Sequence, residues 1–140
     1  MADIDIRIIG QAGRITLNRP AALNALTYDM AMAIDAALLD WSINPLVSLV
    51  IIDAVGERAF CAGGDIQHMY DTAKAGDFAF GRQFWADEYR LNARIFHFPK
   101  PFVAFMQGFN MGGGVGVSCH GSHRIVCKNS QIAMPECSIG

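Results

Sequence analysis

Met111-Gly-Gly-Gly-Val-Gly116 places four glycines in five consecutive positions. Such a run makes a poor helix interior, because glycine gives up more backbone freedom on ordering than any other residue. Its merit is the missing Cβ, which admits positive φ and lets another atom come within hydrogen-bonding range of the backbone N–H. Val115, Val117 and Cys119 carry the run onward with apolar side chains. The glycines therefore open a buried helix and aim several unpaired N–H groups at one spot, where an oxygen carrying negative charge would be well received.

A second glycine turn precedes it, Ala59-Phe-Cys-Ala-Gly-Gly-Asp-Ile66. Each turn follows an apolar strand and comes before a helix. Neither fits the dinucleotide fingerprint, which wants GxGxxG in a first βα turn, and neither ends in the GK[ST] of a phosphate-binding loop. Two strand-to-helix turns can each lend one N–H to a single carbonyl oxygen, the geometry of an oxyanion hole. The plainer alternative is that the glycines only permit close helix packing.

Outward from these turns, the apolar period switches repeatedly between strand and helix. Ile4–Ile9 and Arg14–Leu17 alternate as two strands around the Gly10–Gly13 turn, and Pro20 makes Asn18–Asn24 a loop. Thr27 is a plausible N-cap for a helix carrying Met30, Ile34, Leu38 and Trp41 to about Ser42, with Pro45 as its stop. Leu46–Ala54 is an apolar run of the kind buried on both faces of a sheet. Gly56–Gly64 reads as loop, Asp65–Tyr70 as a short helix, and Phe78–His97 as a long amphipathic helix ended by Pro99 and Pro101. Phe102–Met106 is the next buried strand, and Arg124–Cys127 and Gln131–Met134 read as strands after the glycine run. The chain is expected to be α/β, with no internal repeat in its sequence.

Composition narrows the function. The 140 residues, 52% hydrophobic and 17% charged, are expected to form one domain spanning 1–140. Eleven basic against thirteen acidic side chains give a net charge of −2, without the electrostatic footprint of a nucleic-acid binder. No block of like charge suggests a membrane surface, and no window is apolar for long enough to span one. The start, Met1-Ala-Asp-Ile-Asp5, lacks the features of a signal or transit peptide, so a soluble, cytoplasmic protein is expected. Cys61, Cys119, Cys127 and Cys137 are irregularly spaced in apolar surroundings and read as buried reduced thiols. Cys119, His120, His123 and Cys127 lack the CxxC knuckle of structural zinc sites, and no signature supports a cysteine nucleophile, so neither metal nor cofactor is expected.

Arg19-Pro-Ala-Ala-Leu-Asn-Ala25, Ala59–Ile66, Lys100-Pro-Phe-Val-Ala104, Met111–Gly116 and Met134-Pro-Glu136 stand in the order and spacing of the crotonase (enoyl-CoA hydratase/isomerase) superfamily, which the chain resembles over nearly its whole length. The resemblance implies a crotonase-like spiral of ββα units binding an acyl-CoA thioester, coenzyme A being part of the substrate. It implies that the oxyanion donors are the N–H groups of Gly64 and Gly113. The adenine and pantetheine contacts would come from Arg19, Ala22, Leu23 and Asn24 and from Ala62, Gly63, Asp65 and Ile66. This agrees with the reading of the two turns, since paired N–H groups stabilise the oxyanion of a tetrahedral intermediate or an enolate.

Carboxylates decide among members of the superfamily. Its hydratases use two glutamates on one water, and one of those positions is Gly116 here, while the other is matched by Glu136. Without the partner carboxylate, concerted addition of water to a double bond loses half of its acid–base pair. The chain more closely resembles the 3-hydroxyisobutyryl-CoA hydrolase family, through Phe60-Cys-Ala-Gly-Gly-Asp65, Glu88-Tyr89, Met111–Gly116 and Met134-Pro-Glu136. That resemblance implies hydrolysis of a short β-hydroxyacyl-CoA in valine breakdown. Glu136 would be base or nucleophile, and Glu88 would hold the acyl hydroxyl or the reacting groups. Enclosure of Glu136 by Met134, Pro135 and Ile139 would raise its pKa. The plainer alternatives are that Glu88 is a solvated helix residue and Glu136 a strand-end cap, while Asp65 is expected to be both a helix N-cap and a shaper of the loop. The family also keeps an aspartate shortly past the position of Gly140 and a C-terminal helical region that closes the pocket and builds subunit contacts, so the chain resembles the N-terminal part of a longer enzyme, for which the resemblance implies a homo-oligomer.

Overall fold

A computed structural model describes residues 2–139; Met1, Gly140 and the side chain of Ile139, used in the expectations above, lie outside the described residues. Eight strands and five helices follow one another among them: β1 (Ile4–Ile9), β2 (Ala12–Leu17), α1 (Tyr28–Ile43), β3 (Leu49–Ala54), β4 (Ala59–Cys61), α2 (Ile66–Lys74), α3 (Phe78–Phe96), β5 (Phe102–Met106), β6 (Phe109–Met111), α4 (Gly113–Ser118), β7 (His123–Val126), β8 (Gln131–Ala133) and α5 (Glu136–Ile139). The order is ββα four times over, with α3 added after the second unit. A sequence without an internal repeat thus carries a repeating backbone, because the unit is defined by hydrogen bonding and layer, which many different apolar residues satisfy.

Two sheets result, ordered β1-β2-β3-β5-β7 and β4-β6-β8. From the second unit on, the first strand of each joins the larger sheet and the second strand joins the smaller. The β1–β2 hairpin is antiparallel, pairing Ile4 with Leu17, and every other strand pair is parallel. Val50 and Ile52 on β3, Phe102 and Ala104 on β5, and Ile34 and Leu38 on α1 meet in the core. At the start of α1, Thr27 Oγ1 accepts from the Met30 N–H at 3.2 Å, and Met30, Ile34, Leu38 and Trp41 are all buried. Thr27 is therefore the cap that the sequence indicates.

Four expectations change. The apolar run at 46–54 is strand only from Leu49; Asn44 takes the residues before it into a turn, its Oδ1 accepting from the Leu46 N–H at 2.9 Å and its carbonyl from the Val47 N–H at 3.2 Å. β4 lies within the expected 56–64 loop and β6 within the second glycine motif, each only three residues long and too short for an alternating pattern to register. Glu136 opens a short helix instead of capping a strand end. Cys61 is buried and Cys119 half-buried, but Cys127 and Cys137 are exposed, so the expectation of four buried thiols fails for two. All four are free.

Among the described residues no helix is long and apolar enough to cross a membrane, and no group of His, Cys, Asp or Glu side chains could hold a metal ion.

Candidate active site

Because β4 and β6 are parallel neighbours, pairing Cys61 with Asn110, the glycine turns leaving their ends emerge side by side. Gly112 has φ +50° and Gly63 φ +123°, conformations that side chains rarely adopt. The turns touch: a Cβ on Gly112 would lie 3.8 Å from the Gly63 Cα, and one on Gly63 would lie 3.6 Å from the Met111 carbonyl oxygen. Beyond them the contact tightens. A Cβ on Gly113 would stand 3.3 Å from the Gly64 nitrogen and 2.6 Å from Glu88 Oε1, and one on Gly114 would be 2.4 Å from the Cys61 carbonyl oxygen. Successive glycines are thus what lets α4 rest on the end of β4.

The pairing around these turns directs the N–H groups. Leu26 bridges Gly64 in parallel fashion, donating its N–H to the Gly63 carbonyl at 2.8 Å and accepting from the Asp65 N–H at 2.9 Å. In that pattern Gly64's own N–H faces away from Leu26. The Gly113 N–H, at the first position of α4, has no intrahelical acceptor. Both glycines line a cleft of about 550 Å³ shared with Ile66, Met69, Trp85, Glu88, Tyr89, Asn92, Gly116, His120, Met134 and Glu136.

The two carboxylates in that cleft differ in the opposite sense from the one expected. Glu88 is only 6% exposed, and burial pushes its pKa above the ordinary carboxylate range. Among the described residues no cation or donor pairs with it. Glu136 is exposed, as is Met134 beside it. The enclosed carboxylate is the one on the long helix, not the one expected between Met134 and Pro135.

The residues expected to hold coenzyme A form two loops fastened to each other. The Leu23 carbonyl accepts from the Ala62 N–H at 3.0 Å. Arg19 Nη2 donates to Asp65 Oδ2 at 3.2 Å and its Nη1 to the Ala25 carbonyl at 2.7 Å. Asn24 is buried: Oδ1 accepts from the Arg19 N–H at 2.7 Å, while Nδ2 donates to the carbonyls of Val55 and Ala59 at 3.0 and 2.9 Å. Arg19 and Asn24 thus frame the loop with their side chains, and Ala22, Leu23 and the exposed Ile66 present its outer surface. Asp65 is both the N-cap of α2, accepting from the His68 N–H, and the ion-pair partner of Arg19, a cap and loop-shaper at once.

A larger groove, about 770 Å³, lies among Tyr28, Phe80, Phe84 and His68 with Asp3, Asp29 and Asp65 on its rim. It contains none of the paired N–H groups, and its acidic rim would repel phosphates. The smaller cleft is therefore the candidate site. Two of that cleft's residues, Trp85 and Asn92, have no part in the sequence reading. The spacing of Glu88 and Asn92, four apart on a helix, was the available signal, since it sets both on one face.

A sequence model of the enoyl-CoA hydratase/isomerase family matches residues 12–140. The chain is 45% identical over 99% of its length to a mitochondrial 3-hydroxyisobutyryl-CoA hydrolase of Gallus gallus, covering 36% of that protein. Its identity to the mitochondrial enzyme of the same name from Xenopus tropicalis is 50%, over 94% of this chain and 34% of that protein. Among solved structures, an enoyl-CoA hydratase from Rhodobacter sphaeroides 2.4.1 superposes with a TM-score of 0.97 at 62% identity, covering 99% of this chain and 41% of the other. A carnitinyl-CoA dehydratase from Mycobacterium thermoresistibile gives 0.95 at 47% identity, with 99% and 40% covered. The chain spans about a third of the length of these curated relatives.

Proposed function

The chain belongs to the enoyl-CoA hydratase/isomerase family, and on that premise we propose that it forms the acyl-binding and oxyanion-holding core of a hydrolase for a short β-hydroxyacyl-CoA, 3-hydroxyisobutyryl-CoA being the leading substrate. The observation that carries this reading is the convergence of the Gly64 and Gly113 backbones beside the buried Glu88. In the proposed reaction the thioester carbonyl oxygen takes hydrogen bonds from both N–H groups. Glu136 removes a proton from the attacking water, and the negative charge that forms on the carbonyl oxygen is met by two donors already in place. Each such donor is worth roughly 3 to 4 kcal/mol in the transition state. Collapse re-forms the C=O bond and breaks the C–S bond, and the leaving thiolate takes up a proton. A raised pKa suits Glu88 to provide it, because a carboxyl that is neutral near the oxyanion adds no repulsion. Coenzyme A would lie along Ala22, Leu23, Ala62, Gly63 and Ile66.

Two further readings stay open. Hydration or isomerisation of an enoyl-CoA has the names of the structural neighbours behind it. Against it stands Gly116, where a carboxylate side chain would have to displace Asn92, 2.7 Å from any Cβ there. The other is a chain that binds CoA esters without turning them over. We keep the cytoplasm as the proposed compartment, against the mitochondrial location in the relatives' names, for fractionation to decide.

Thiol release from 3-hydroxyisobutyryl-CoA, measured on the longest polypeptide containing this chain, tests the hydrolase. Release is expected. Loss of enoyl absorbance without thiol release would favour hydration, and a CoA-dependent thermal shift with neither would favour binding alone.

A further inference from the structure

Asn92 stands four residues after Glu88, about 6 Å along α3, and lines the same cleft. Its Oδ1 is buried and has no hydrogen-bond partner. Native structures rarely leave a buried amide oxygen in that condition, so an unpaired one on a residue that lines a cleft marks a place where a ligand can supply the missing group once the amide turns toward it. Packed directly against it is Gly116 of α4, where a Cβ would lie 2.7 Å from both Nδ2 and Oδ1. The glycine that closes the run is therefore what leaves room for the amide. Close by, Val115 and Pro135 offer side chains that cannot donate a hydrogen bond.

We propose that Asn92 is a specificity-determining residue that receives the hydroxyl of the acyl chain. The proposal rests on the reading of this cleft as the acyl-thioester site. A hydroxyl both donates and accepts, so it satisfies the amide whichever way round the amide is turned. The order along the helix suits such a substrate: Glu88 lies against Gly113, where the thioester carbonyl would bind, and Asn92 lies one turn further along against Gly116. A site built to hydrogen-bond a hydroxyl rejects the analogue lacking it, because its own buried polar group is then left unpaired.

Equilibrium binding of 3-hydroxyisobutyryl-CoA and isobutyryl-CoA, which differ only in the hydroxyl, tests the proposal without requiring turnover. The longest polypeptide containing the chain is expected to bind the hydroxylated ester at least about tenfold more tightly. Asn92→Leu, of the same branching but apolar, is expected to erase that preference. Should Asn92→Leu fail to fold, as judged by circular dichroism, Asn92→Ala carries the same comparison. Gly116→Ala, which displaces the amide without altering it, is expected to narrow the preference too. Equal affinities in the unaltered protein, or a preference that survives loss of the amide, would overturn the assignment. Thiol release, measured separately, bears only on hydrolysis: a preference that depends on Asn92, without any thiol, leaves this proposal standing and removes the hydrolase.

Discussion

A methyl group on Gly113 would stand 3.3 Å from the backbone nitrogen of Gly64 and 2.6 Å from Glu88 Oε1. Two turns separated by some fifty residues of sequence thus share one small volume, the volume in which the carbonyl oxygen is proposed to sit. Gly113→Ala keeps both N–H groups but fills that space. The expected outcome is a fall in kcat for thiol release of about 10²–10³-fold, with melting temperature changed far less than activity. A kcat within threefold of the parent would remove these turns from the chemistry.

Gly114→Ala separates packing from catalysis. Its Cβ would be 2.4 Å from the Cys61 carbonyl oxygen and 2.5 Å from Asn110 Oδ1, and the first of these is backbone that cannot rotate away. A loss of about 1–3 kcal/mol in unfolding free energy is expected, read as a lower urea midpoint at unchanged m-value.

Asn24→Ala removes three hydrogen bonds and leaves the carbonyls of Val55 and Ala59 short of a donor. The expected cost is on the order of 3 kcal/mol. Because the side chain faces inward, weakening of coenzyme A binding should follow from loosening of the loop. Calorimetry with free coenzyme A would then record a larger entropic penalty at similar enthalpy; a large loss of enthalpy would instead make Asn24 a direct contact.

The pH dependence of stability should carry the signature of Glu88. Burial raises its folded pKa above the ordinary value of 4.5, so the folded state holds the proton more tightly than the unfolded state. The stabilisation from this group is complete below 4.5 and is lost as pH rises through the raised folded value. Glu88→Gln removes the charge and the titration together. The variant's melting temperature should therefore exceed the parent's by an amount that grows from acid toward neutrality, while thiol release falls. A difference that is flat with pH, or that shrinks toward neutrality, would show that the carboxylate is not held against its charge.

The long elements were readable because their patterns span several turns. Met30, Ile34, Leu38 and Trp41 write out α1, Thr27 caps it, and Phe102–Met106 agrees with β5 residue for residue. The smaller sheet was not readable, since three residues of β4 or β6 cannot display a period and their burial is imposed by neighbouring strands. The glycine turns were legible as a pair, but their contact was not, because it depends on the β4–β6 pairing. The environments of Glu88 and Glu136 were reversed for a similar reason. Burial belongs to tertiary packing, and the apolar residues flanking Glu136 in sequence do not cover it. Asn92 was passed over because an asparagine within a helix carries no local signal unless its neighbours across space are known.

Gly64 has a further role through its bridge to Leu26. Gly64, whose N–H is proposed to meet the carbonyl oxygen, is held between Gly63 and Asp65, which hydrogen-bond Leu26 in the same short ladder as the loop that Asn24 and Arg19 fasten to Asp65. In the proposed reading the handle end of the substrate and its reacting end would press on one mechanical piece, so that grip on the nucleotide would be converted into alignment of the N–H. A thioester cut back to its pantetheine arm should then lose speed as well as affinity, the mark of remote binding energy used to prepare the bond that breaks.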